Sequence, residues 1–133
     1  MRKILIVFGY TVISLFVLLF ITGCAAAVVG AGAGAGIGAY AYSKGELKSV
    51  EAASIDKVWK AVEKTVEEMG FVVEVKSKDA LTGILEARGA NDKKITIKIG
   101  FMTEKTTEVK IRVGFFGNET YSYQILNTIR SHL

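Results

Sequence analysis

Charged residues are distributed very unevenly along this chain of 133 residues, and that distribution limits how it can fold. Residues 1–42 contain only two charged side chains, Arg2 and Lys3, whereas the rest of the chain is densely charged. Only the later part has the mixture of apolar and polar residues that a globular domain requires. At roughly 90 residues it is long enough for one modest core, so we expect a single folded domain.

The charge balance argues against a nucleic-acid-binding protein. With Arg2 and Lys3 set aside, 15 basic side chains stand against 13 acidic ones, and the two kinds interleave along the sequence. A protein that binds a nucleic-acid duplex usually concentrates lysine and arginine on one face, so we expect no nucleic-acid partner. The single cysteine excludes an internal disulfide framework.

Residues 1–23 have the order of a secretory signal. Two basic residues precede an uncharged apolar run, residues 4–20, which is followed by Ile-Thr-Gly-Cys at residues 21–24. This ending resembles the lipobox of bacterial lipoproteins. The resemblance implies that residues 1–23 are removed and that Cys24 receives a diacylglyceryl thioether, because only a thiol supplies the nucleophile. The alternative is an uncleaved signal anchor in which Cys24 is an inert thiol.

Acyl chains on Cys24 would hold the protein to a membrane without a transmembrane helix, since each buried methylene contributes about 0.8 kcal/mol. The next residue is Ala25 rather than aspartate. In lipoproteins of Gram-negative bacteria, this resemblance implies transport to the outer membrane. The expected location is therefore the cell envelope, in the outer membrane and facing the periplasm where the source is such a bacterium.

Residues 24–43 form a Gly/Ala-rich segment that has two interpretations. Gly30, Gly34 and Gly38 recur every four residues, so on a helix they would share one face. Small residues at this spacing resemble a glycine zipper, which would allow self-association in the membrane. The alternative is a flexible tether, because alternating glycine and alanine has little preference for a helix.

Residues 44–133 contain two amphipathic helical patterns. Ser54 can cap the first helix, which ends at Gly70. Its apolar stripe consists of Ile55, Val58, Trp59, Val62, Val66 and Met69. Asn118 can cap the second helix, whose apolar residues recur every fourth position at Tyr121, Ile125, Ile129 and Leu133. Both stripes are expected to face one core.

Five segments are predicted strands: residues 46–52, 71–76, 85–88, 95–101 and 109–115. The last four alternate between apolar and polar residues, which indicates one buried and one wet face. The predicted buried series includes Phe71, Val73, Val75, Phe101 and Phe115. The order β-α-β-β-β-β-α predicts an α+β fold, a two-layer sandwich with an antiparallel sheet of about five strands and two helices on one face.

From Cys24 to Leu133 the chain is similar to an uncharacterised family of small bacterial lipoproteins with a domain of unknown function. The stretches that carry the resemblance are residues 42–47, 55–61, 107–118 and 129–133. These motifs are structural ones. The resemblance supports the location and the fold, and it implies no activity, cofactor or catalytic residue.

The sequence lacks the residue clusters that are typical of catalysis. Nucleophilic and metal-dependent sites need convergent Ser, Cys, His and carboxylate groups, and the chain has one histidine and one cysteine. His132 is next to the C-terminus and is expected to be frayed and exposed, while Cys24 is expected to carry lipid. We therefore predict no catalytic residue, no metal ligand and no cofactor.

The candidate partner surface combines the loop of residues 114–119 with the wet face of the sheet. Phe116 has the opposite parity to the buried series, so it can be exposed beside Lys98, Lys110 and Arg112. The favoured alternative is a helix-entry turn in which Phe116 packs under the final helix.

These patterns favour a membrane-anchored, non-enzymatic module that binds another envelope protein or helps to organise the envelope. Two alternatives remain at this point. The Gly/Ala-rich segment could form oligomers in the membrane, with the domain as a cap. The domain could instead hold an apolar ligand such as a lipid between its helices and its sheet.

Overall fold

The computed structural model describes residues 1–29 and 38–133, and the chain forms two compact units, residues 1–35 and 36–133. In the first unit, the helix α1 (Arg2–Val29) contains the predicted signal and Cys24. Its side chains are described as far as Phe16, and nearly all of these are exposed. Among the described residues, no helix has the combination of length and apolar character that crossing a membrane requires.

Within residues 38–133 the structure has six strands and two helices. The strands are β1 (Tyr40–Ser43), β2 (Glu46–Glu51), β3 (Val72–Lys78), β4 (Thr82–Arg88), β5 (Lys94–Thr103) and β6 (Thr106–Val113). The helix α2 (Ile55–Glu68) follows β2, and α3 (Glu119–Ser131) follows β6. One turn of 3-10 helix, Ala90–Asp92, joins β4 to β5. The predicted α+β class is confirmed.

Both helices begin after the residues that the sequence pattern predicts as caps. Ser54 Oγ accepts a hydrogen bond from the N–H of Lys57 at 3.4 Å, and Asn118 Oδ1 accepts one from the N–H of Tyr121 at 2.9 Å. Each bond satisfies an N–H group that the first turn of a helix leaves without an intrahelical acceptor. The side chains that sequence periodicity assigns to the α2 stripe, Trp59 among them, are buried from Ile55 to Val66.

All strand pairs are antiparallel, and the order across the sheet is β1-β2-β6-β5-β4-β3. The register places Leu47 and Ile97 on either side of Ile111, and Leu85 beside Ile97. These four side chains are at most 1% exposed. They form one core with side chains of α2 and α3, including Val62. Both helices therefore cover the same face of the sheet, as the two-layer prediction requires.

The strand β1 is an addition to the predicted sheet, which has about five strands and leaves Tyr40–Ser43 in the Gly/Ala-rich segment. This stretch pairs with β2 through a two-residue turn at Lys44 (φ 52°) and Gly45 (φ 78°). Two left-handed residues in succession match the twist of a tight hairpin. Tyr42 packs against the core, so the strand is part of the domain. The sheet has six strands.

Four apolar side chains that the alternation predicts to be buried are exposed. Val73 and Val75 are 44% and 43% exposed, because β3 is an edge strand and its register shifts between these two residues. Such a bulge turns the following side chain to the other face. Phe101 and Phe115 are 42% and 86% exposed. Phe115 lies after β6 has ended at Val113, where the period of two no longer applies.

Candidate partner surface

The face of the sheet that α2 and α3 leave uncovered is here called the open face. Lys98 on β5 lies directly opposite Lys110 on β6, and Lys110 lies opposite Lys48 on β2. Neighbouring strands are about 4.8 Å apart, so these three residues form a row across the centre of the open face. We call this set the lysine row.

Carboxylates neutralise the lysine row only in part. Glu108 Oε2 lies 3.0 Å from Lys110 Nζ, and Glu46 Oε1 lies 4.0 Å from Lys48 Nζ. Within residues 38–133, Lys98 forms no salt bridge. Like charges directly opposite each other destabilise a sheet, so the stability of the domain does not explain this arrangement.

A groove of about 460 Å³ runs beside the lysine row. Lys98 and Lys110 line it together with the hydroxyl-bearing residues Ser77 and Thr82. Gly100 leaves space there, since the nearest atom to a Cβ at this position would be Glu108 Oε2 at 3.9 Å. The groove offers hydroxyl groups and two ammonium groups to a partner, beside the carboxylates of Asp79 and Glu108.

Asp79 also lines this groove and belongs to the β3–β4 turn. Its Oδ1 accepts hydrogen bonds from the backbone N–H groups of Leu81 at 2.8 Å and Thr82 at 2.7 Å. These hydrogen bonds hold the pKa of the Asp79 carboxyl below its ordinary value of 3.8. The carboxylate is occupied by its own turn, which makes it a structural group rather than an acid or base.

Arg112 connects the open face to two loops. Its Nη1 donates a hydrogen bond to the carbonyl of Phe115 at 3.1 Å, and its Nη2 donates one to the carbonyl of Lys44 at 2.7 Å. Gly45 and Gly117, from the same two loops, pack so closely that neither has room for a Cβ. Arg112 therefore holds the loop after β6 against the β1–β2 turn.

Phe116 is exposed, so the favoured interpretation, in which it packs under α3, is wrong. Its side chain is 87% exposed, and that of Phe115 is 86% exposed. The two rings meet edge to face with their centroids 5.0 Å apart. Phe115 also borders a second groove, of about 540 Å³, together with Arg112. The structure thus brings Lys98, Lys110 and Arg112 together on the open face and places Phe116 at its rim.

Of the three glycines in the predicted glycine zipper, the structure describes only Gly38. Gly30 and Gly34 lie outside the described residues. Gly38 is not helical: its φ is +76°, and its N–H donates a hydrogen bond to the carbonyl of Val50 at 2.7 Å. It forms the entry to β1 rather than part of a helical face of small residues. Cys24 is in α1, and its side chain lies outside the described part of the chain.

A polar cluster formed by Arg130, Glu51 and Ser49 is not predicted from the sequence patterns. Arg130 Nε donates to both carboxylate oxygens of Glu51 at 3.1 Å, and Arg130 Nη2 donates to the Gly38 carbonyl at 2.7 Å and to Ser49 Oγ at 3.0 Å. Ser49 and Glu51 are 3% and 4% exposed. The available signal is that the alternation of β2 places both on the buried face. The cluster joins α3 to the point where the chain enters the domain.

The structure gives the histidine a partner. His132 caps α3 instead of fraying, and its Nε2 lies 2.6 Å from Oε2 of Glu68. In the parts of the chain that the structure describes, no three His, Cys, Asp or Glu side chains are arranged to hold a metal ion.

Comparison with known proteins identifies a family whose description names no activity. No curated protein matches the chain closely enough to be counted as a relative. One family matches residues 3–132, and this match includes α1 from its second residue onward and all six strands of the sheet. The chain therefore belongs to the family described as "Protein of unknown function (DUF3568)".

Proposed function

We propose that this protein is a lipoprotein of the bacterial cell envelope, anchored by acyl chains on Cys24, whose α+β domain binds another envelope component without catalysing a reaction. Support for the anchor comes from the order of residues 2–24: basic residues, an apolar run, two small residues and the cysteine. In this proposal the mature chain begins at Cys24, and Ala25 directs it to the outer membrane, facing the periplasm.

The observation that carries the binding function is the lysine row on the open face. Lys98 lies opposite Lys110 and forms no salt bridge within residues 38–133. A partner with an acidic surface would offset the repulsion between Lys98 and Lys110. It would also gain charge-assisted hydrogen bonds in the adjacent groove. The partner is therefore an acidic envelope component, and the open face is the surface it contacts.

Intact mass tests the anchor. Protein purified from membranes should have the mass of residues 24–133 plus acyl chains, and a Cys24→Ala variant should lose both the acyl mass and the cleavage. The two proteins should also separate differently on membrane fractionation. A mass equal to the full, unmodified chain would show an uncleaved signal anchor and would refute the lipoprotein.

Charge reversal on the open face tests the binding function. Lys98→Glu should lose the component that co-purifies with the parent protein from envelope fractions. Lys64→Glu, on the exposed side of α2, is the matched control and should recover that component in full. Equal recovery with all three proteins, or no reproducible component with the parent, would contradict binding through the open face.

A further inference from the structure

Phe115 and Phe116 are the most exposed large apolar side chains in residues 38–133. Exposed apolar side chains that occur singly are normal on protein surfaces, but two adjacent phenylalanines in contact with each other form a continuous apolar projection. The adjacent glycines, Gly114 and Gly117, add no side chain that could cover the rings. The loop of residues 114–117 therefore presents two bare rings to its surroundings.

The backbone of this loop is held in place, so the exposure of the rings is a property of the fold. Arg112 donates to the Phe115 carbonyl, and the same guanidinium donates to the Lys44 carbonyl. Gly117 packs directly against Gly45 of the neighbouring turn. A loop that is attached on both sides loses little conformational entropy when its side chains enter a binding partner.

Two basic side chains, Lys44 and Arg112, flank the loop that carries the two rings. Arg112 and Lys44 form no salt bridge within residues 38–133, since Arg112 is bound to carbonyl groups. The groove of about 540 Å³ that Phe115 borders is also lined by Thr96 and by Lys94, whose Nζ lies 3.1 Å from Oε2 of Glu86. Apolar rings beside cations and hydroxyl groups complement a surface in which negatively charged groups cover an apolar layer. A bilayer with anionic phospholipids is such a surface.

The loop of residues 114–117 lies beside the β1–β2 turn, near the point where the chain enters the domain. The β1–β2 turn beside the loop is one strand length from Gly38, and four strand residues span about 13 Å. We propose that Phe115 and Phe116 insert into the interfacial region of an anionic phospholipid bilayer, with Lys44 and Arg112 facing the phosphate groups.

This contact rests on the proposed lipid anchor for its nearby membrane, and it gives the domain a defined orientation there. Acyl chains alone leave a domain free to rotate about its tether. A second, non-covalent contact of apolar and basic residues restricts that rotation. Because Phe115 borders the open face, the insertion also determines where the lysine row lies relative to the bilayer.

Fluorescence quenching by brominated acyl chains tests the insertion in the full chain, reconstituted into vesicles of phosphatidylcholine with or without phosphatidylglycerol. In a Phe116→Trp variant, the indole at position 116 should shift to shorter emission wavelength and be quenched, most strongly in the anionic vesicles. The parent protein supplies the background of Trp59, which is 9% exposed. Leu81→Trp is the matched control, because Leu81 is 61% exposed in the β3–β4 turn, at the opposite end of the sheet.

A Lys44→Asn variant in the Phe116→Trp background tests the charge contribution. Asparagine tolerates the positive φ of this position, and the hydrogen bond from Arg112 goes to the backbone carbonyl, so the loop should keep its structure. The variant should lose part of the preference for phosphatidylglycerol. Equal quenching in both kinds of vesicle, before and after the substitution, would remove the anionic lipid from the proposal.

Three outcomes overturn the insertion. Quenching of Phe116→Trp no stronger than that of Leu81→Trp would show that this loop does not face the bilayer. A shift to shorter wavelength without quenching would show that protein, from a second copy or a partner, covers the rings. An intact mass that includes acyl chains, together with no quenching of the indole at position 116, would refute the insertion and leave the anchor. Quenching of that indole in a protein whose intact mass includes no acyl chains would refute the anchor and leave the insertion.

Discussion

Arg130 in the last turn of α3 forms a paired contact with Glu51, the last residue of β2, through its Nε and Nη2 atoms. The Nη2–Oε1 distance is 2.9 Å, and only 6% of the Glu51 side chain is exposed. Arg130 also donates to the carbonyl of Gly38, so this ion pair connects three parts of the domain. The Glu51 charge is buried, whereas its partner Arg130 is 25% exposed, so removal of Arg130 would leave a buried carboxylate without its counter-charge.

Replacing Arg130→Met should lower the free energy of unfolding by about 3 kcal/mol, because it leaves the Glu51 carboxylate buried without a counter-charge. Arg88→Met is the matched control. It breaks a salt bridge to Glu74 in which both side chains are more than a third exposed, so its effect should be much smaller. Urea unfolding followed by Trp59 fluorescence measures both. Equal losses for the two variants would contradict the assignment of Arg130 as the structural partner of a buried carboxylate.

Much of the fold can be predicted from the sequence, because local chemistry determines it. The caps Ser54 and Asn118, the apolar stripes of both helices and the alternation within β4, β5 and β6 each depend on residues close together in the chain. β1 could not be predicted in the same way. Its four residues follow a long Gly/Ala-rich stretch, and only the pairing with β2 distinguishes them from it.

The candidate surface illustrates what local patterns leave out. Lys98, Lys110 and Arg112 can be placed on the wet face from parity alone, but the direct pairing of Lys98 with Lys110 depends on register. The Arg130–Glu51 pair is separated by 79 residues, and either residue would be assigned to the surface on composition. The exposure of Phe116 depends on the loop after β6, which Arg112 holds against the β1–β2 turn. This contact also joins segments that are distant in the sequence.

The two glycines of the loop after β6 should respond differently to alanine. Gly114 has a φ of +72° and open space around a Cβ, so Gly114→Ala should cost only the left-handed conformation, about 1 kcal/mol. Gly117 has a φ of +83° and packs on Gly45, so Gly117→Ala should cost distinctly more. Thermal unfolding by circular dichroism compares them. A Gly117→Ala variant as stable as Gly114→Ala would show that the two loops are not in tight contact.

The Asp79 carboxylate should make the stability of the domain depend on pH in the acid range. Its pKa is lowered in the folded state by the N–H groups of Leu81 and Thr82, so its stabilising contribution is present above the ordinary value of 3.8 and is lost as the pH falls through the folded-state pKa. Asp79→Asn keeps an acceptor oxygen but cannot titrate. The difference in urea midpoint between the parent and this variant should therefore shrink on acidification. A difference that is constant with pH would contradict the role of the ionised carboxylate.

Charge reversal at Lys98 should separate stability from binding. Lys98 lies opposite Lys110 on the open face, so Lys98→Glu replaces a like-charge pair with an opposite-charge pair across two strands. Such a change should raise the free energy of unfolding by about 0.5 kcal/mol in the isolated protein. The same variant should lose the acidic envelope component that the parent protein retains, because the partner then meets a carboxylate in place of the Lys98 ammonium group. Urea unfolding and co-purification on one protein preparation measure the two effects. A variant that is less stable than the parent would show that the lysine row stabilises the sheet, and the reason for assigning it to a partner would then be lost.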